Sequence, residues 1–282
     1  MSRNPKEMKF PQDSGRLQKE VLEEVAASPE LLTFGRLEKV LKRRFRIKRD
    51  TLKKAVGELI AEGELVYSYK HGCSFLEKSF DKPVRISKRI VIVPYRMSFP
   101  GEPGDVVIKI QPGISFGRGD HPTTMLGLRC IEYAFKDAAF LENCEVDSTA
   151  LDIGTGSGIL AIASVLFGAA GATGIDIDSC ARKEAADNAE INGVGNRIEI
   201  SGMPVEKIKE RFSIITANLR CPTLMSLYPL MLKLTGKGSV LVFSGIKIPE
   251  AIGLRLLYTK NYFMMIREEH EKEWSASVFR RI

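Results

Sequence analysis

Few residues in the chain could hold a metal ion or a disulfide framework. The 282-residue sequence contains three histidines and one tryptophan, and its five cysteines are scattered, odd in number and without a Cys-x-x-Cys pair. This pattern is typical of free thiols in a reducing compartment. We therefore expect a cytoplasmic protein and predict no metal site.

Long hydrophobic runs are also missing. The longest nearly apolar segment, residues 159–170, is far shorter than the ~20 residues that cross a bilayer. The first residues, MSRNPK, are not followed by the apolar core of a secretory signal. With 44% hydrophobic and 27% charged residues, the composition is that of a globular protein. We expect no membrane partner.

Positive charge is concentrated in the first third of the chain. Residues 1–90 contain 21 Lys and Arg against 13 Asp and Glu, whereas the net charge of the whole chain is +7. The remaining residues are therefore almost balanced in charge. This asymmetry indicates two modules, of which the basic one faces an anionic partner.

Residues 1–82 have the pattern of three short helices and a β-hairpin. Apolar residues recur at helical spacing over 14–27, 33–44 and 50–62, with Asp50 as the expected N-cap of the third helix. A hairpin is predicted around residues 71–72. This order resembles a winged-helix α+β domain, and the basic residues within 36–54 would form its contact surface. Nucleic-acid contact and protein docking are open alternatives for that surface.

The rest of the chain changes to a strand-rich and then an alternating pattern. Residues 83–115 are predicted to form a β-rich linker with β-branched runs at 89–94 and 105–110. From about residue 123, helix and strand patterns alternate, as in a parallel sheet with crossover helices. We therefore assign residues 116–282 to an α/β domain.

A glycine-rich turn carries the strongest chemical signal. Residues 150–158, ALDIGTGSG, predict a strand that runs through a tight turn into an apolar helix. Asp176, 22 residues after Gly154, ends the next predicted strand and is placed to bind ribose hydroxyls. A dinucleotide fingerprint would need glycine where Ile159 stands, and Asp152 would repel a pyrophosphate. The cationic cofactor S-adenosylmethionine (SAM) fits better. The pattern is similar to that of class I methyltransferases, whose sheet is Rossmann-like.

Three further segments narrow this resemblance. Residues 110–124 (IQPGISFGRGDHPTT), 216–219 (TANL) and 244–246 (SGI) resemble motifs of the PrmA family of ribosomal-protein methyltransferases, over about residues 85–282. The resemblance and the turn together predict these cofactor-binding residues: Phe116, Thr124, Asp152, Gly154, Thr155, Gly156, Asp176, Ile177 and Asn218. Gly119 and His121 would belong to the loop that closes over the cofactor.

The resemblance implies a SAM-dependent methyltransferase that N-methylates a protein amine. Asn218 would be the catalytic residue, since its amide oxygen can orient an attacking amine. One alternative is an RNA or DNA methyltransferase that is guided by the basic module. A second alternative is a non-catalytic regulator that senses SAM and binds nucleic acid.

Overall fold

The computed structural model describes residues 14–28, 32–70, 73–79, 82–111, 113, 115–117, 119, 121–136 and 144–282. The chain divides into two units, Met1–Lys82 and Pro83–Ile282. The tip of the predicted hairpin, residues 71–72, lies outside the described residues.

The first unit contains three helices followed by two antiparallel strands. They are α1 (Ser14–Ala27), α2 (Phe34–Arg44), α3 (Arg49–Ala61), β1 (Leu65–Lys70) and β2 (Cys73–Lys78). Apolar side chains from all three helices form one core with Leu65 and Leu76. The Leu76 N–H also donates to the carbonyl oxygen of Leu32 at 2.7 Å, which forms an isolated antiparallel bridge. The predicted helices and strands of this region are confirmed.

The start of α3 differs from the expectation. Lys48, not Asp50, occupies the N-cap position, and its side chain makes no capping hydrogen bond. Asp50 lies in the first turn of the helix, where a negative charge is favoured by the helix dipole. The prediction of Asp50 as the N-cap was therefore wrong, although the helix itself is present.

The second unit begins with a small three-stranded sheet. Its strands are β3 (Val84–Arg85), β4 (Ile90–Pro94) and β5 (Val106–Ile110). β4 pairs with β3 in antiparallel and with β5 in parallel orientation. Residues 83–115 therefore contribute strands to the same unit as the residues that follow them.

A seven-stranded sheet forms the centre of the second unit. Its strands are β6 (Thr149–Ile153), β7 (Gly171–Ile175), β8 (Ile198–Ser201), β9 (Ile214–Asn218), β10 (Val240–Lys247), β11 (Phe263–Glu271) and β12 (Trp274–Arg281). The helices of this unit are α4 (Pro122–Lys136), α5 (Ile159–Phe167), α6 (Ser179–Ile191), α7 (Cys221–Ser226), α8 (Tyr228–Leu234) and α9 (Ile248–Tyr258).

The strand order of the large sheet is β11-β12-β10-β9-β6-β7-β8. The five strands from β10 to β8 are parallel, and β12 is antiparallel to both of its neighbours. Continuous apolar runs explain this arrangement, because parallel strands are covered by helices on both faces. In β9, for example, residues 214–217 are all buried.

The strand order places a crevice at one edge of the sheet. The chain passes from β6 to β7 on one side and later returns to β9 on the other side of β6. Ligands of open α/β sheets bind at such a switch point, outside the carboxyl ends of the strands. The glycine-rich turn follows β6 at this point.

No helix within the described ranges combines the length and apolar character needed to span a membrane.

Candidate active site

The glycine-rich turn folds tightly over the end of β7. The N–H groups of Gly154 and Thr155 both donate to the carbonyl oxygen of Ile175, at 2.9 and 3.0 Å. Gly156 has a φ of +55°, and a Cβ at this position would lie 2.5 Å from the carbonyl oxygen of Phe116. Both the backbone conformation and the lack of space therefore require glycine at this position.

Asp152 lies beneath the turn rather than at its surface. Its side chain is 1% exposed, and it accepts hydrogen bonds of 2.7 Å from both Thr155 and Thr216 hydroxyls. Burial raises the pKa of Asp152 to about 6, because it disfavours the charged form. The nearby charge of Asp176 adds to this effect. Asp152 thus joins the turn to β9. Thr216 belongs to the TANL segment, but the sequence analysis did not predict it as a site residue.

Asp176 holds a fixed position at the rim of the crevice. Its two carboxylate oxygens accept the N–H groups of Gly156 and Asp178, each at 3.0 Å. The guanidinium of Arg182 donates to the carbonyl oxygens of Asp176 and Ile177, also at 3.0 Å. Ile177 itself is 97% exposed. The rim therefore presents the carboxylate of Asp176 next to the apolar side chain of Ile177.

The loop that carries Phe116 is bonded directly to the glycine-rich turn. The Ser157 N–H donates to the Phe116 carbonyl oxygen at 3.0 Å, and the Ser157 hydroxyl donates to the Gly117 carbonyl oxygen at 2.7 Å. The Phe116 side chain remains exposed, which leaves it available to cover a ligand. His121 lies beside it, with ring centroids 5.0 Å apart.

Helix α6 fixes the backbone that leads into this loop. Glu184 accepts the N–H of Ser115 at 3.1 Å, and Asn188 accepts the N–H of Gln111 at 3.1 Å. Asn192, just after the helix, accepts the Lys109 N–H at 2.8 Å and donates to the Lys109 carbonyl oxygen at 2.7 Å. The sequence reasoning missed this row. Its only signal is the regular spacing of three polar side chains four residues apart.

The other two motifs meet at the end of β9. The Asn218 amide donates to the Thr124 hydroxyl at 3.4 Å, and Thr124 is fully buried in the first turn of α4. A Cβ at Gly245 would lie 2.9 Å from the Asn218 amide oxygen, so β10 passes close to the same side chain. The Leu219 N–H donates to the carbonyl oxygen of Ser244 at 3.1 Å. The structure therefore brings together residues from all three motif segments.

Trp274 joins this group from β12. Its ring lies 5.6 Å from the ring of His121, centroid to centroid, and the ammonium of Lys247 lies 5.5 Å from the Trp274 ring. His121 Nδ1 also lies 2.8 Å from the Thr123 hydroxyl. The sequence alone gave no signal that linked Trp274 to the loop.

The fold and this crevice define the class of protein. A sheet with five parallel strands, an antiparallel β12 and a glycine-rich turn after β6 is the Rossmann-like sheet of methyltransferases. The crystal structure of a ribosomal protein L11 methylase from Lactobacillus delbrueckii subsp. bulgaricus is similar, with a TM-score of 0.63 and 27% identity. The match covers 71% of this chain and 98% of that one.

Sequence comparison gives the family. Residues 76–282 match the family described as ribosomal protein L11 methyltransferase (PrmA), and the chain belongs to this family. A ribosomal protein L11 methyltransferase from Geobacter sp. (strain M21) is 33% identical over 200 residues. That from Geobacter sulfurreducens is 36% identical over 198 residues. The matches cover 71% and 70% of this chain, but only 64% and 62% of the two relatives.

Membership of this family identifies the cofactor as SAM. The crevice fits it in two ways. At the partly exposed Gly154 the turn presents backbone without a side chain to the crevice. The rim presents the carboxylate of Asp176 beside the exposed Ile177, which suits a sugar joined to a flat, largely apolar base.

Proposed function

We propose that the protein is a SAM-dependent methyltransferase that N-methylates an amine of a ribosomal protein. The observation that carries this proposal is the contact of Asn218 with Thr124 beside Gly245, at the carboxyl ends of β9 and β10. Three separate sequence segments supply these residues, and they meet next to the glycine-rich turn. The names of the relatives support a ribosomal protein as the acceptor.

We assign different residues to the ribose, the adenine and the methionine moiety of SAM. Asp176 binds the ribose hydroxyls, because its carboxylate is a fixed acceptor at the rim. Ile177 packs against the adenine, and Phe116 covers the bound cofactor from the loop. The backbone from Gly154 to Gly156 lies against the methionine moiety, and the buried Thr124 acts on the site through its hydrogen bond with Asn218.

Asp152 contributes through its charge and not through direct contact. Its carboxylate is held by Thr155 and Thr216 below the turn. A negative charge in this position favours a cofactor that carries a sulfonium and an ammonium, since opposite charges attract strongly where water is excluded. The same burial raises the pKa of Asp152, because it disfavours the charged form.

Asn218 orients the attacking amine. SAM supplies an activated methyl group on a sulfonium, and the sulfur leaves with the bonding electrons. The amide nitrogen of Asn218 is engaged by Thr124, so its amide oxygen is the atom free to accept an N–H of the acceptor. That contact aligns the nitrogen lone pair with the methyl group. A lysine amine, with an ordinary pKa of ~10.4, must first lose its proton to water, and an apolar wall such as Phe116 favours the neutral form.

We further propose that residues 1–82 form a winged-helix domain, followed by the β-rich residues 83–115 and a methyltransferase domain at 116–282. Three helices, a hairpin and the bridge from Leu32 to Leu76 support this, because a winged helix pairs a short segment before its second helix with the hairpin. This unit would select the partner. The five cysteines are free thiols, which supports action in the reducing cytoplasm.

Radiolabelled SAM tests the proposed reaction. The protein is incubated with the protein, RNA and DNA fractions of a cell extract, alongside the Asn218→Ala variant. We expect label in a ribosomal protein, and far less label with the variant. Label in RNA or DNA would refute the proposal and indicate a nucleic-acid methyltransferase. Binding of SAM without label in any fraction would instead indicate a regulator.

A further inference from the structure

The first unit carries a strongly charged surface. Residues 36–54 contain ten Lys and Arg but only two acidic residues. We propose that this surface, here called the basic face, binds the phosphate backbone of double-stranded RNA. It comprises the exposed cations Arg36, Lys39, Lys42, Arg43, Arg44, Arg46, Lys48, Arg49, Lys53 and Lys54.

Helix α2 presents one row of the basic face. Arg36, Lys39 and Arg43 follow one another at spacings of three and four residues, so they share one side of the helix. All three are exposed, whereas Leu37 and Leu41 are buried in the core of the unit. The core therefore fixes which side of α2 points to solvent.

Helix α3 presents a second row, and Glu38 connects the two. Arg49 and Lys53 lie four residues apart on α3 and are both exposed. The buried carboxylate of Glu38, on α2, accepts Arg49 at 2.6 Å and pairs with Lys42 at 2.8 Å. These two cations lower the pKa of Glu38, with the hydrogen bond from Lys42 as the largest cause. The first turn of α3 is thereby held against α2, and the cations Arg49 and Lys42 meet at Glu38.

Several cations of the basic face have no internal partner. Within the described part of the first unit, Lys39, Arg43, Lys48 and Lys53 make no ion pair. These charges attract an external polyanion, and binding releases the counterions condensed on its phosphates. No carboxylate has to be displaced from them. Lys39 and Arg43 come from α2, while Lys48 and Lys53 come from the start of α3, so the unpaired charges span both rows.

The side chains of α3 favour RNA over DNA. Sequence-specific DNA readers place Asn, Gln, Arg or Lys against base edges in the major groove. The sequence of α3, RDTLKKAVGELIA, contains neither Asn nor Gln, and its one arginine, Arg49, is bound to Glu38. Its lysines bind phosphates as point charges. Duplex RNA is recognised mainly by its shape and backbone, because its deep major groove does not admit side chains. This choice also rests on the proposed function, since a ribosomal-protein acceptor is found with RNA.

Fluorescence anisotropy tests the basic face with the full chain. The probes are an end-labelled RNA duplex of about 16 base pairs and the DNA duplex of the same sequence. Each is titrated over a range of KCl concentrations. The test variant is Lys39→Gln/Lys53→Gln, and Arg43→Gln/Lys48→Gln repeats the test at independent positions. Lys233→Gln/Lys260→Gln, at exposed positions of the second unit, is the matched control. Far-UV circular dichroism and thermal unfolding check that the first unit of each variant is folded, and calorimetry with SAM checks the second unit.

We expect the RNA duplex to bind several-fold more tightly than the DNA duplex. Each test variant should weaken RNA binding at least tenfold and flatten the slope of log K against log[salt] by about 1.5, as for two lost phosphate contacts. The control should match the wild type. Equal or tighter binding of DNA, no RNA binding at low salt, or unchanged binding by both test variants would overturn the proposal. So would variants that bind RNA normally but lose only the acceptor protein.

This titration and the radiolabelled-SAM assay together separate this inference from the proposed function. RNA binding through the basic face with no methyl transfer to any fraction would support the RNA-binding surface and refute the proposed reaction. Methylation of a ribosomal protein without RNA binding would refute the RNA-binding surface and support the proposed reaction.

Discussion

The side-chain amide of Asn218 donates a hydrogen bond of 3.4 Å to the hydroxyl of Thr124, a residue 94 positions earlier in the chain. The contact ties the end of β9 to the first turn of α4. It also sets the direction of the Asn218 amide, whose oxygen faces the side of Gly245. The proposed reaction needs this oxygen at a fixed place, and Thr124 supplies the constraint.

Replacement of Asp176 by alanine should abolish tight binding of SAM. A hydrogen bond to a charged group contributes about 1.5–3 kcal/mol, so the loss of two ribose contacts should raise the Kd roughly 100-fold or more. Isothermal calorimetry measures this. Asp178→Ala is the control, because Asp178 caps α6 by accepting the Cys180 N–H. That change should cost about 1 kcal/mol of stability and leave the Kd nearly unchanged. Equal losses of affinity would show that the ribose site is misplaced.

Substitution of Gly156 by alanine should be far more damaging than the same change at Gly193. Both residues have a positive φ, +55° and +68°, so both variants pay roughly 1 kcal/mol of backbone strain. Only Gly156 is also crowded, by the Phe116 carbonyl oxygen, whereas nothing lies within 4 Å of a Cβ at Gly193. Urea unfolding should therefore separate the two variants by at least ~2 kcal/mol. Similar midpoints would mean that the loop of Phe116 does not press on the turn.

The stability of the cofactor-free protein should depend on pH through Asp152. Its pKa is raised to about 6 in the folded chain, so the folded state holds this proton more tightly than the unfolded state. Its contribution to stability is therefore present at low pH and is lost as the pH rises from about 4 to about 6. Asp152→Asn removes the titration while it keeps a side-chain oxygen for the threonines.

Thermal unfolding of the two proteins tests this difference. Relative to the wild type, Asp152→Asn should be more stable at pH 7.5 than at pH 4.5, by about 2 kcal/mol. The comparison cancels the other carboxylates, which titrate in both proteins. A stability difference that is the same at both pH values would contradict the raised pKa.

Loss of the Glu184 side chain should loosen the loop that carries Phe116. Glu184 accepts the Ser115 N–H, and a hydrogen bond to a charged acceptor contributes about 1.5–3 kcal/mol. We expect Glu184→Ala to lower the melting temperature and to weaken SAM binding. Asp187→Ala removes a surface ion pair with Lys183 on the same helix and should change stability by less than about 0.5 kcal/mol. Equal SAM affinities of the two variants would show that the loop of Phe116 does not contribute to SAM binding.

The sequence predicted the features that depend on local patterns. The glycine-rich turn, the strand that ends at Asp176 and the alternation of strands and helices all follow from neighbouring residues. The row of Glu184, Asn188 and Asn192 could not be predicted, because its partners belong to a distant strand and loop. The same holds for Trp274, which reaches His121 only because β12 inserts next to β10.

The assignment of Asp152 was limited for a similar reason. Its position before the glycines indicated a role at the site, but its burial depends on Thr216 in β9. Sequence patterns within one segment carry no information on such a contact. The start of α3 was misplaced because Asp is a common N-cap, and at this helix Asp50 instead occupies the first turn.

Intact-mass spectrometry of purified ribosomal proteins tests the central claim most directly. Each RNA-free ribosomal protein is incubated, as the candidate acceptor, with SAM and either the wild-type protein or Asn218→Ala. The account predicts a mass gain of one methyl group or a multiple of it with the wild type, and a rate lower by roughly 100-fold with the variant. An unchanged acceptor mass in the presence of a wild-type protein that binds SAM would contradict it.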